Sequence, residues 1–464
     1  MAHIDAFHLP ALDNVPTTTW TSGRGADAFE VRVPRLTPAL LREQTAALLA
    51  ARERSLLTRP VESVVAAIDA AARRLLDPND TLRRLAESAL PAITGYSAPM
   101  IGLVLDRMAA DWRAGPLTRL LEAEFGDVRM PNEGVPGHGI VVGPRLIANV
   151  FSGNVPGVAV TALVRALLVG SAALGKTAAG EPLLPALFAQ ALSSVDAELG
   201  ASLAVTYWPG GDEEMERAGM EAADCVVVYG GADAVAAVRA RTPGHVRFVG
   251  YGPKLSCGMV GRGALTPDTA RETARLAALD ASTFDQQGCV SPHLFYVEEG
   301  GAISPVDWAA LLADAMAAVE AELPRGALAP RESAAIRQLR SEAEFAEAAR
   351  NGTVLHASAE GTAWTVIYEA DDAFAASCLN RVVRVKPVAR LEDVPERVSH
   401  LSPLLQTVGL ELGGESRPAL AAALAQAGAT RICALGEMAW PPPTWHHDGQ
   451  PPLGVLVRRC DVEG

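Results

Sequence analysis

The chain lacks the paired cysteines that bind zinc or build a disulfide framework. Its six cysteines are scattered over 464 residues, with no Cys-x-x-Cys pair and no short spacing to a pair of histidines. Zinc modules and small secreted domains carry their cysteines at short, regular spacings. We therefore expect neither a disulfide scaffold nor a metal site, and any cysteine chemistry must come from a single thiol.

Positive charge is also scarce. The 40 lysines and arginines are outnumbered by 54 aspartates and glutamates, which gives a formal net charge of -14 at pH 7. Nucleic acids and anionic membranes repel such a protein as a whole, so neither is expected as a general partner. The start, Met1–Asp5, lacks the basic-then-apolar pattern of a signal peptide. The longest apolar run, Val155–Leu174, is interrupted by Arg165 and by glycines, so we expect a cytoplasmic protein without a membrane span.

The rest of the chain has the pattern of an α/β protein. Helical patterns recur from residue 38 to 124, and short apolar strands alternate with helices from residue 139 to 250. A second alternating region runs from residue 294 to 427, whereas residues 1–35 show no firm periodicity and are expected to form an arm or an edge. Near-continuous apolar strands between helices indicate parallel sheets, which bind ligands at the carboxyl ends of their strands.

One cysteine lies in a setting that suits chemistry. Cys289 follows two glutamines and Gly288 in the sequence that runs from Asp285 to Pro292. A structural thiol usually has apolar neighbours, where it behaves as a small hydrophobe. Here the glycine removes bulk beside the sulfur, and the glutamines could donate hydrogen bonds to a thiolate. Taken alone, this segment still leaves an inert cysteine as the commoner interpretation.

Motifs elsewhere in the chain favour a catalytic thiol. Upstream of Cys289, three of them occur in the order Ser152-Gly153-Asn154-Val155-Pro156-Gly157, Gly175-Lys176-Thr177 and Tyr229-Gly230-Gly231. In order and approximate spacing the chain resembles the aldehyde dehydrogenase superfamily, and more closely the fatty acyl-CoA reductase family of bacterial bioluminescence. That family is also matched by Gln286 to Pro292, Thr94-Gly95-Tyr96, Leu405 to Gly409, and Asp448-Gly449 after Trp445.

The resemblance implies an aldehyde dehydrogenase-like α/β fold. Such a fold has two Rossmann-like lobes, one for the cofactor and one for catalysis, a helical N-terminal region and a small oligomerisation flap. We predict the N-terminal region at 1–135, the nucleotide-binding lobe at 136–255, the catalytic lobe at 256–430, and the C-terminal return and flap at 431–464. A homo-oligomer is implied in the same way.

The resemblance also assigns roles to the motif residues. Cys289 would attack the substrate carbonyl, and Asn154, which by local sequence alone is a turn residue, would donate its amide to the resulting oxyanion. Lys176 and Thr177 would contact the adenosine ribose and its phosphate. Gly230 and Gly231 would bring backbone N–H groups to the pyrophosphate.

Three departures from the superfamily pattern concern the cofactor site and the direction of the reaction. NAD-preferring members commonly carry a glutamate three residues after the lysine, where this chain has Ala179. Because a carboxylate there would repel a 2′-phosphate, its absence favours NADPH. Gly250 stands where oxidising members carry the glutamate that activates water, and Val235 replaces a glycine of the phosphate turn.

These observations predict NADPH-dependent reduction of a fatty acyl thioester to the aldehyde through an acyl-enzyme on Cys289. The thioester would be acyl-CoA or an acyl-protein, with an acyl-protein synthetase as one implied donor. Two alternatives stay open. One is an NAD(P)-dependent aldehyde dehydrogenase that forms the acid, which Gly250 disfavours. The other is a cofactor-free cysteine acyltransferase or thioesterase, which Lys176 and the parallel sheet disfavour. His293, four residues after the cysteine, is expected to be structural and not a thiol base.

Overall fold

The computed structural model describes residues 3–22, 28–127, 139–414 and 416–461. The α-helices in this part of the chain are α1 (Pro38–Ala51), α2 (Val61–Leu76), α3 (Thr81–Thr94), α4 (Ala98–Asp111), α5 (Ala114–Phe125), α6 (Val158–Leu168), α7 (Leu183–Val195), α8 (Ala197–Gly200), α9 (Glu213–Met220), α10 (Ala232–Arg241), α11 (Ala270–Ser282), α12 (Pro305–Glu322), α13 (Pro330–Ala348), α14 (Val394–Val398) and α15 (Pro418–Gln426). A π-helical turn covers Arg52–Leu56, and 3₁₀ turns cover Arg262–Ala264, Thr283–Gln286, Leu391–Asp393 and Ser399–Leu401.

The strands are β1 (His3–Asp5), β2 (Thr17–Ser22), β3 (Phe29–Pro34), β4 (Ile140–Val142), β5 (Leu146–Val150), β6 (Ala172–Thr177), β7 (Leu203–Tyr207), β8 (Cys225–Tyr229), β9 (Arg247–Tyr251), β10 (Leu255–Val260), β11 (Pro292–Glu298), β12 (Val354–Ala357), β13 (Thr365–Tyr368), β14 (Val382–Val388), β15 (Leu405–Glu411), β16 (Arg431–Ala434) and β17 (Arg458–Cys460).

Local sequence explains where several helices begin. The Thr37 hydroxyl accepts a hydrogen bond from the Leu40 amide at 3.3 Å, and Pro38 occupies the first position of α1. Ser304 and Pro305 act in the same way at the start of α12. Because a capping hydroxyl satisfies an amide that the helix leaves unpaired, and proline needs no amide partner there, both starts are determined locally.

The first of two compact units comprises Met1–Thr94, Ile101–Gly252 and Pro442–Gly464. Its five-stranded sheet is parallel throughout, in the order β7-β6-β5-β8-β9. On one face Leu174 packs in a core with Leu41 of α1 and Met215 of α9. Gly175, which points to the other face, lies against Leu163 of α6. The sheet is therefore covered on both faces, as the continuous apolar strands predict.

The N-terminal residues form a small sheet of their own. Within the described residues, β3 pairs parallel with β1 and antiparallel with β2. After β1 the chain runs along the edge of β7, where His8 and Val205 exchange backbone hydrogen bonds of 2.9 and 2.8 Å. The expectation of an edge is met, but the strands themselves were not predicted. The largely exposed threonines of β2 give little apolar alternation to detect.

The second unit comprises Gly95–Met100 and Pro253–Pro441. Its seven-stranded sheet has the order β12-β13-β14-β11-β10-β15-β16 and is parallel except for the pair β12–β13. One core cluster contains Trp308 of α12, and a separate cluster contains Val394 of α14 and Leu424 of α15. This unit is a second α/β layer structure, as expected for the catalytic region.

Strand β10 and helix α13 are among the elements of the second unit that were not predicted. Strand β10 lies in the middle of the sheet, yet its Ser256-Cys257-Gly258 sequence resembles a loop. Gly258 is needed there because a Cβ would lie 2.2 Å from the Phe295 ring. Helix α13 buries Ile336 and Ala343 and presents charged residues elsewhere, so its apolar periodicity is weak. Among the helices that the structure describes, none has the length and apolarity needed to cross a bilayer.

Candidate active site

Cys289 lies in the second unit, in the turn that leads into β11. The Ser291 amide donates to the Gly288 carbonyl at 3.0 Å, which places Cys289 at the second position of a tight turn. The Ser256 hydroxyl donates to the Cys289 carbonyl at 2.8 Å and accepts from the Thr407 amide at 3.1 Å. The central strands β10 and β15 thus fix the backbone of the half-buried cysteine.

Four of the other cysteines are poor nucleophiles. Burial raises the pKa of Cys225 and of Cys257 to about 12 and that of Cys433 to about 11. Burial also raises the pKa of the Cys378 thiol. A thiol with a raised pKa stays protonated near neutral pH and reacts slowly. Chemistry by these side chains is therefore disfavoured, although Cys378 and Cys433 are half-buried like Cys289.

The two glutamines before the cysteine bind a neighbouring loop. The Gln286 side-chain amide donates to the carbonyls of Pro292 at 2.7 Å and Val382 at 2.9 Å, and its oxygen accepts from the Val382 amide at 2.9 Å. Gln287 donates to the Asn380 side-chain oxygen at 2.9 Å. The interpretation of Gln286 as a hydrogen-bond donor to the thiolate is therefore wrong, because both ends of its carboxamide form hydrogen bonds with backbone groups of Pro292 and Val382.

His293 has a structural role. Its Nδ1 accepts a hydrogen bond from the Ser377 amide at 3.1 Å, and burial lowers the pKa of the ring to about 4. A neutral imidazole that accepts at Nδ1 carries its proton on Nε2. The ring therefore ties the loop at Ser377 to β11, which agrees with the expectation that His293 is not the thiol base.

The Thr94-Gly95-Tyr96 motif reaches the same segment of the second unit through its last two residues. The Tyr96 hydroxyl donates to the Phe284 carbonyl at 3.1 Å, and the Ala327 amide donates to the Gly95 carbonyl at 2.7 Å. Burial raises the pKa of Tyr96, so its hydroxyl stays protonated as a donor. The motif thus fixes the chain five residues before Cys289.

Asn154 lies in the first unit, in the loop between β5 and α6. The residue is exposed at the carboxyl edge of the sheet, where parallel sheets bind ligands. Gly157 ends the loop as the N-cap residue of α6 with a φ of 96°, and a Cβ there would lie 2.8 Å from Cγ of Met108. Only glycine meets both requirements easily. The downstream end of the Asn154 loop is therefore fixed.

The upstream end of this loop packs on the turn after β6. The Phe151 amide donates to the Lys176 carbonyl at 2.9 Å. A Cβ on Gly153 would lie 3.0 Å from the amide nitrogen of Glu181 and 3.1 Å from the backbone of Gly180. The loop that carries the candidate oxyanion donor and the turn that follows the candidate cofactor lysine are therefore in direct backbone contact.

Glu181 organises that turn and was not identified from the sequence. Its buried Oε1 accepts from the amides of Leu183 at 3.0 Å and Leu184 at 2.7 Å, which caps α7. Burial raises the pKa of this carboxyl to about 7 even though the two backbone donors act in the opposite direction. A glutamate is an uncommon helix cap, so only the proline that follows it marks the start of α7 in the sequence.

Lys176 and Thr177 end β6 but point in different directions. Lys176 shares a face with Leu174 and is half-buried, with Nζ 5.9 Å from the centroid of the Tyr207 ring. Burial lowers the pKa of Lys176, and the nearby Glu216 carboxylate partly offsets this. The Thr177 hydroxyl is buried and donates to the carbonyl of Thr206 at 3.1 Å. Of this pair, Lys176 is the better placed for an anionic ligand.

The glycine turn after β8 has one engaged and one exposed residue. The Gly230 amide donates to the Tyr251 carbonyl at 3.1 Å, so this amide is used inside the sheet. Gly231 is exposed and is the N-cap residue of α10. Helix starts attract phosphate groups, so the backbone after Gly231 is the better candidate for a pyrophosphate contact.

The C-terminal segment covers the ends of β8 and β9 with stacked rings. Trp445 stacks on His447 at a centroid distance of 4.6 Å, His447 on Tyr251 at 4.2 Å, and Tyr251 on Tyr229 at 4.8 Å. Asp448, which follows, has a φ of 55°. The tryptophan and the Asp-Gly pair that carried part of the resemblance therefore belong to a continuous packed structure in the first unit.

A family model described as acyl-CoA reductase (LuxC) matches residues 56–459. This match spans most of the chain and includes every motif quoted above. The chain belongs to the acyl-CoA reductase (LuxC) family. The resemblance inferred from the sequence motifs is thereby confirmed.

Curated relatives agree with the LuxC assignment. A long-chain acyl-protein thioester reductase of Aliivibrio fischeri is 26% identical over 391 residues, which cover 81% of this chain and 77% of that protein. Long-chain acyl-protein thioester reductase 2 of Photobacterium leiognathi is 30% identical over 151 residues, which cover 32% of this chain and 31% of that protein.

Solved structures confirm the fold. Aldehyde dehydrogenase 21 of Physcomitrella patens matches with a TM-score of 0.72 at 15% identity, over 98% of this chain and 97% of that one. An NADP-dependent glyceraldehyde-3-phosphate dehydrogenase of Bacillus halodurans C-125 matches with a TM-score of 0.70 at 14% identity, over 96% and 95%. At such identities the likeness concerns the fold alone, which is that of an aldehyde dehydrogenase, as predicted.

Within this LuxC-family chain, separate motifs converge on one segment of the second unit. The Tyr96 hydroxyl donates to the Phe284 carbonyl. The Ser256 hydroxyl links the Thr407 amide to the Cys289 carbonyl. The Gln286 side chain accepts from the Val382 amide at the start of β14. In the described parts of the chain no group of three or more histidine, cysteine, aspartate or glutamate residues could hold a metal ion.

Proposed function

We propose that this protein reduces a fatty acyl thioester to the aldehyde, with NADPH as the reductant and Cys289 as the nucleophile. The observation that carries the proposal is the setting of Cys289. The residue is half-buried, and its carbonyl accepts a hydrogen bond from the Ser256 hydroxyl of the central strand β10. Family membership agrees with the reduction of an acyl thioester.

The nucleophilic step follows from the chemistry of a thiol. The Cys289 thiolate attacks the carbonyl carbon, a new carbon–sulfur bond forms, and the bond to the original thiol breaks. The departing thiolate takes up a proton, and the acyl group stays on Cys289 as a thioester. Negative charge develops on the carbonyl oxygen, and the Asn154 amide together with the Cys289 backbone N–H are the proposed donors to it.

The reductive step adds two electrons to the acyl-enzyme. When bound, NADPH would supply them as a hydride to the acyl carbon, and the Asn154 amide and the Cys289 backbone N–H would stabilise the resulting oxyanion. Collapse of the resulting thiohemiacetal breaks the carbon–sulfur bond, releases the aldehyde and regenerates the thiol of Cys289. The balance is one thioester, one NADPH and one proton consumed, and one aldehyde, one thiol and one NADP⁺ formed.

The residues at the end of β6 fit a phosphorylated nucleotide. Lys176 brings a half-buried cation to the carboxyl edge of the parallel sheet, and burial lowers its pKa, so binding an anion would compensate the buried charge. Ala179 is exposed and places no carboxylate beside the expected 2′-phosphate. In this proposal Lys176 contacts the phosphate, Thr177 shapes the turn from inside, and Gly230 and Gly231 position the start of α10 near the pyrophosphate.

The acyl donor belongs to the proposal as well. The curated relatives are named for acyl-protein thioesters, and the family is described by acyl-CoA. Both substrates present the same bond to Cys289. We propose that either one can load the enzyme, that an acyl-protein synthetase is one donor, and that the protein acts as a cytoplasmic homo-oligomer.

The experiment is an aldehyde assay with acyl-CoA thioesters of increasing chain length and NADPH. The wild type should form aldehyde and oxidise NADPH in equal amounts, and Cys289→Ala should do neither while keeping its thermal stability. Cys433→Ala, which removes another partly buried thiol, is the matched control and should stay active. An active Cys289→Ala would refute the nucleophile. Thiol release without NADPH oxidation would favour a thioesterase instead.

A further inference from the structure

Two segments of the second unit hold three consecutive non-glycine residues each in the left-handed region. In the first, Phe284, Asp285 and Gln286 have φ values of 54°, 49° and 64°. In the second, Leu379–Arg381, the values are 65°, 58° and 64°. The left-handed conformation is unfavourable for residues other than glycine, asparagine and aspartate. Where other residues adopt it, surrounding contacts must enforce it. Strain of this kind concentrates at functional sites.

The two left-handed segments hold each other. Arg381 donates from Nε to the Asp285 carboxylate at 2.9 Å, although 96 residues separate them. Gln287 donates to Asn380 at 2.9 Å. Gln286 exchanges hydrogen bonds with both backbone groups of Val382, as a neighbouring strand would. We call these contacts between residues 284–287 and 379–382 the clasp.

The clasp is buried and anchored from outside. Arg381 is fully buried, and its second guanidinium nitrogen donates to Glu320 of α12 at 2.7 Å. The Gly326 amide donates to the second Asp285 oxygen at 2.9 Å. A buried ion pair with a forked donor fixes distance and orientation together. Asp285 and Arg381 therefore have little freedom to move independently.

We propose that the clasp sets the position of the Cys289 thiol, with Asn380 and Arg381 as positioning residues. The left-handed run ends three residues before Cys289, and the Gln286 amide also binds Pro292, three residues after it. The clasp thus contacts the chain both before and after Cys289, and the Ser256 hydroxyl binds the carbonyl of Cys289 itself. The inference rests on the proposed role of Cys289, but it concerns residues of a different loop.

Asn380 offers a variant that spares the fold. Asn380→Gly removes the acceptor for Gln287 but tolerates the φ of 58° at least as well as asparagine. Asn380→Asp keeps a side-chain oxygen at this place and also tolerates the left-handed region. We expect Asn380→Gly to lower kcat by about 10- to 100-fold, as small misplacements of a nucleophile do, with the KM for NADPH unchanged. Asn380→Asp should recover a large part of the loss.

Arg381→Lys tests the ion pair. Lysine keeps the positive charge but cannot reach Asp285 and Glu320 with a planar fork. The readout for both positions is the pH profile of Cys289 alkylation by iodoacetamide, followed by mass spectrometry of the Cys289 peptide. Asn380→Gly and Arg381→Lys should each change that profile, whereas a purely structural role would move thermal stability alone.

Two controls lie in the same unit. Arg350→Gly relieves a left-handed residue with a φ of 55° at the exposed end of α13. Lys386 lies further along β14 than Val382, is buried, and forms ion pairs with Glu369 and Asp371. Lys386→Met removes this cation. Both should leave the alkylation profile of Cys289 at the wild-type value, even if Lys386→Met lowers stability.

The outcomes separate the clasp from the proposed function. Wild-type alkylation and wild-type kcat in both Asn380→Gly and Arg381→Lys would overturn the positioning role. If Lys386→Met changed kcat and the alkylation profile as much as these two variants do, the positioning role would also be overturned. Any loss of stability in the second unit would then be enough to displace Cys289. An active Cys289→Ala would refute the proposed function instead, while alkylation of the wild-type cysteine would still report on the clasp.

Discussion

The Val235 side chain occupies the space beside Gly250 that a side chain at position 250 would need. A Cβ on Gly250 would lie 2.9 Å from Cγ1 of Val235 and 2.9 Å from Cε1 of Phe248. These are two of the three positions at which the sequence departs from the superfamily pattern, which has a glutamate at the position of Gly250 and often a glycine at that of Val235. One contact thus relates both departures, because the valine fills the room that a side chain at position 250 would need.

This contact predicts how a hydrolytic activity could be introduced. Gly250→Glu alone should be destabilised because its Cβ meets both Val235 and Phe248, and adding Val235→Gly should relieve the first of these contacts and recover part of the stability. If the new carboxylate reaches the acyl-enzyme, the double variant should release free fatty acid from acyl-CoA faster than the wild type. The measurement is acid production by gas chromatography, with Val235→Gly alone as the control. A well-folded double variant that forms no more acid than its control would contradict the role assigned to the missing glutamate.

The contact between Gly153 and the turn at Glu181 predicts a second effect. Gly153→Ala would place a Cβ 3.0 Å from the Glu181 amide nitrogen, so the loop that carries Asn154 must shift. We expect a loss of about 1–3 kcal/mol in the free energy of unfolding, and a fall in kcat of roughly 10- to 100-fold. Gly180→Ala is the matched control, since its Cβ would approach Gly153 no closer than 3.5 Å. Equal kcat values for the two variants would count against a positioned Asn154.

Cofactor preference can be tested at Ala179. Ala179→Glu should move the preference from NADPH toward NADH, because the new carboxylate repels a 2′-phosphate and accepts from a free 2′-hydroxyl. The measurement is the ratio of kcat/KM for the two nucleotides, with Ala179→Gln as the uncharged control. A wild type that uses both nucleotides equally would remove the basis of the NADPH assignment.

The environment of Glu298 predicts that the stability of the second unit falls at acidic pH. Its carboxylate is buried, which acts to raise its pKa, but donors from Arg262 and Arg417 prevail and lower it to about 2. A carboxyl with a lowered folded-state pKa stabilises the fold above its unfolded value of about 4.3, and this contribution is lost as the pH falls toward 2. The contribution at neutral pH is roughly 3 kcal/mol.

Glu298→Gln should therefore reduce the stability at pH 7 and flatten its dependence on pH between about 4.5 and 2. Chemical denaturation of both proteins across this range measures the effect. Parallel curves for the variant and the wild type would show that other carboxylates cause the acid sensitivity.

The sequence predicted elements well where local signals suffice. The alternating regions predicted at 139–250 and 294–427 contain the strands Leu203–Tyr207 and Cys225–Tyr229 and the helix Pro305–Glu322. Strand β10 was missed because Gly258 is fixed by a contact with Phe295, on a different strand. Such a requirement is visible only after the strands have paired.

The site shows the same division. Cys289, Asn154 and Lys176 stand out because motif order carries them. Arg381 does not, because its partner Asp285 is 96 residues away and no local pattern marks the pair. The Glu181 cap was missed for a different reason, since its carboxylate accepts from the first amides of α7 from a position before the N-cap residue Pro182, where a glutamate is uncommon. Residues that touch a ligand can be inferred from motifs, whereas the residues that hold them depend on long-range packing.

The central claim is that thioester reduction passes through an acyl-enzyme on Cys289 that water does not readily cleave. Mixing the enzyme with acyl-CoA and no NADPH tests this most directly, with thiol release followed in time and the Cys289 peptide analysed by mass spectrometry. We predict a burst of about one thiol per active site that then stalls, an acyl group on Cys289, and its discharge as aldehyde when NADPH is added. Continuous thiol release without NADPH, at the rate of the complete reduction, would contradict the account.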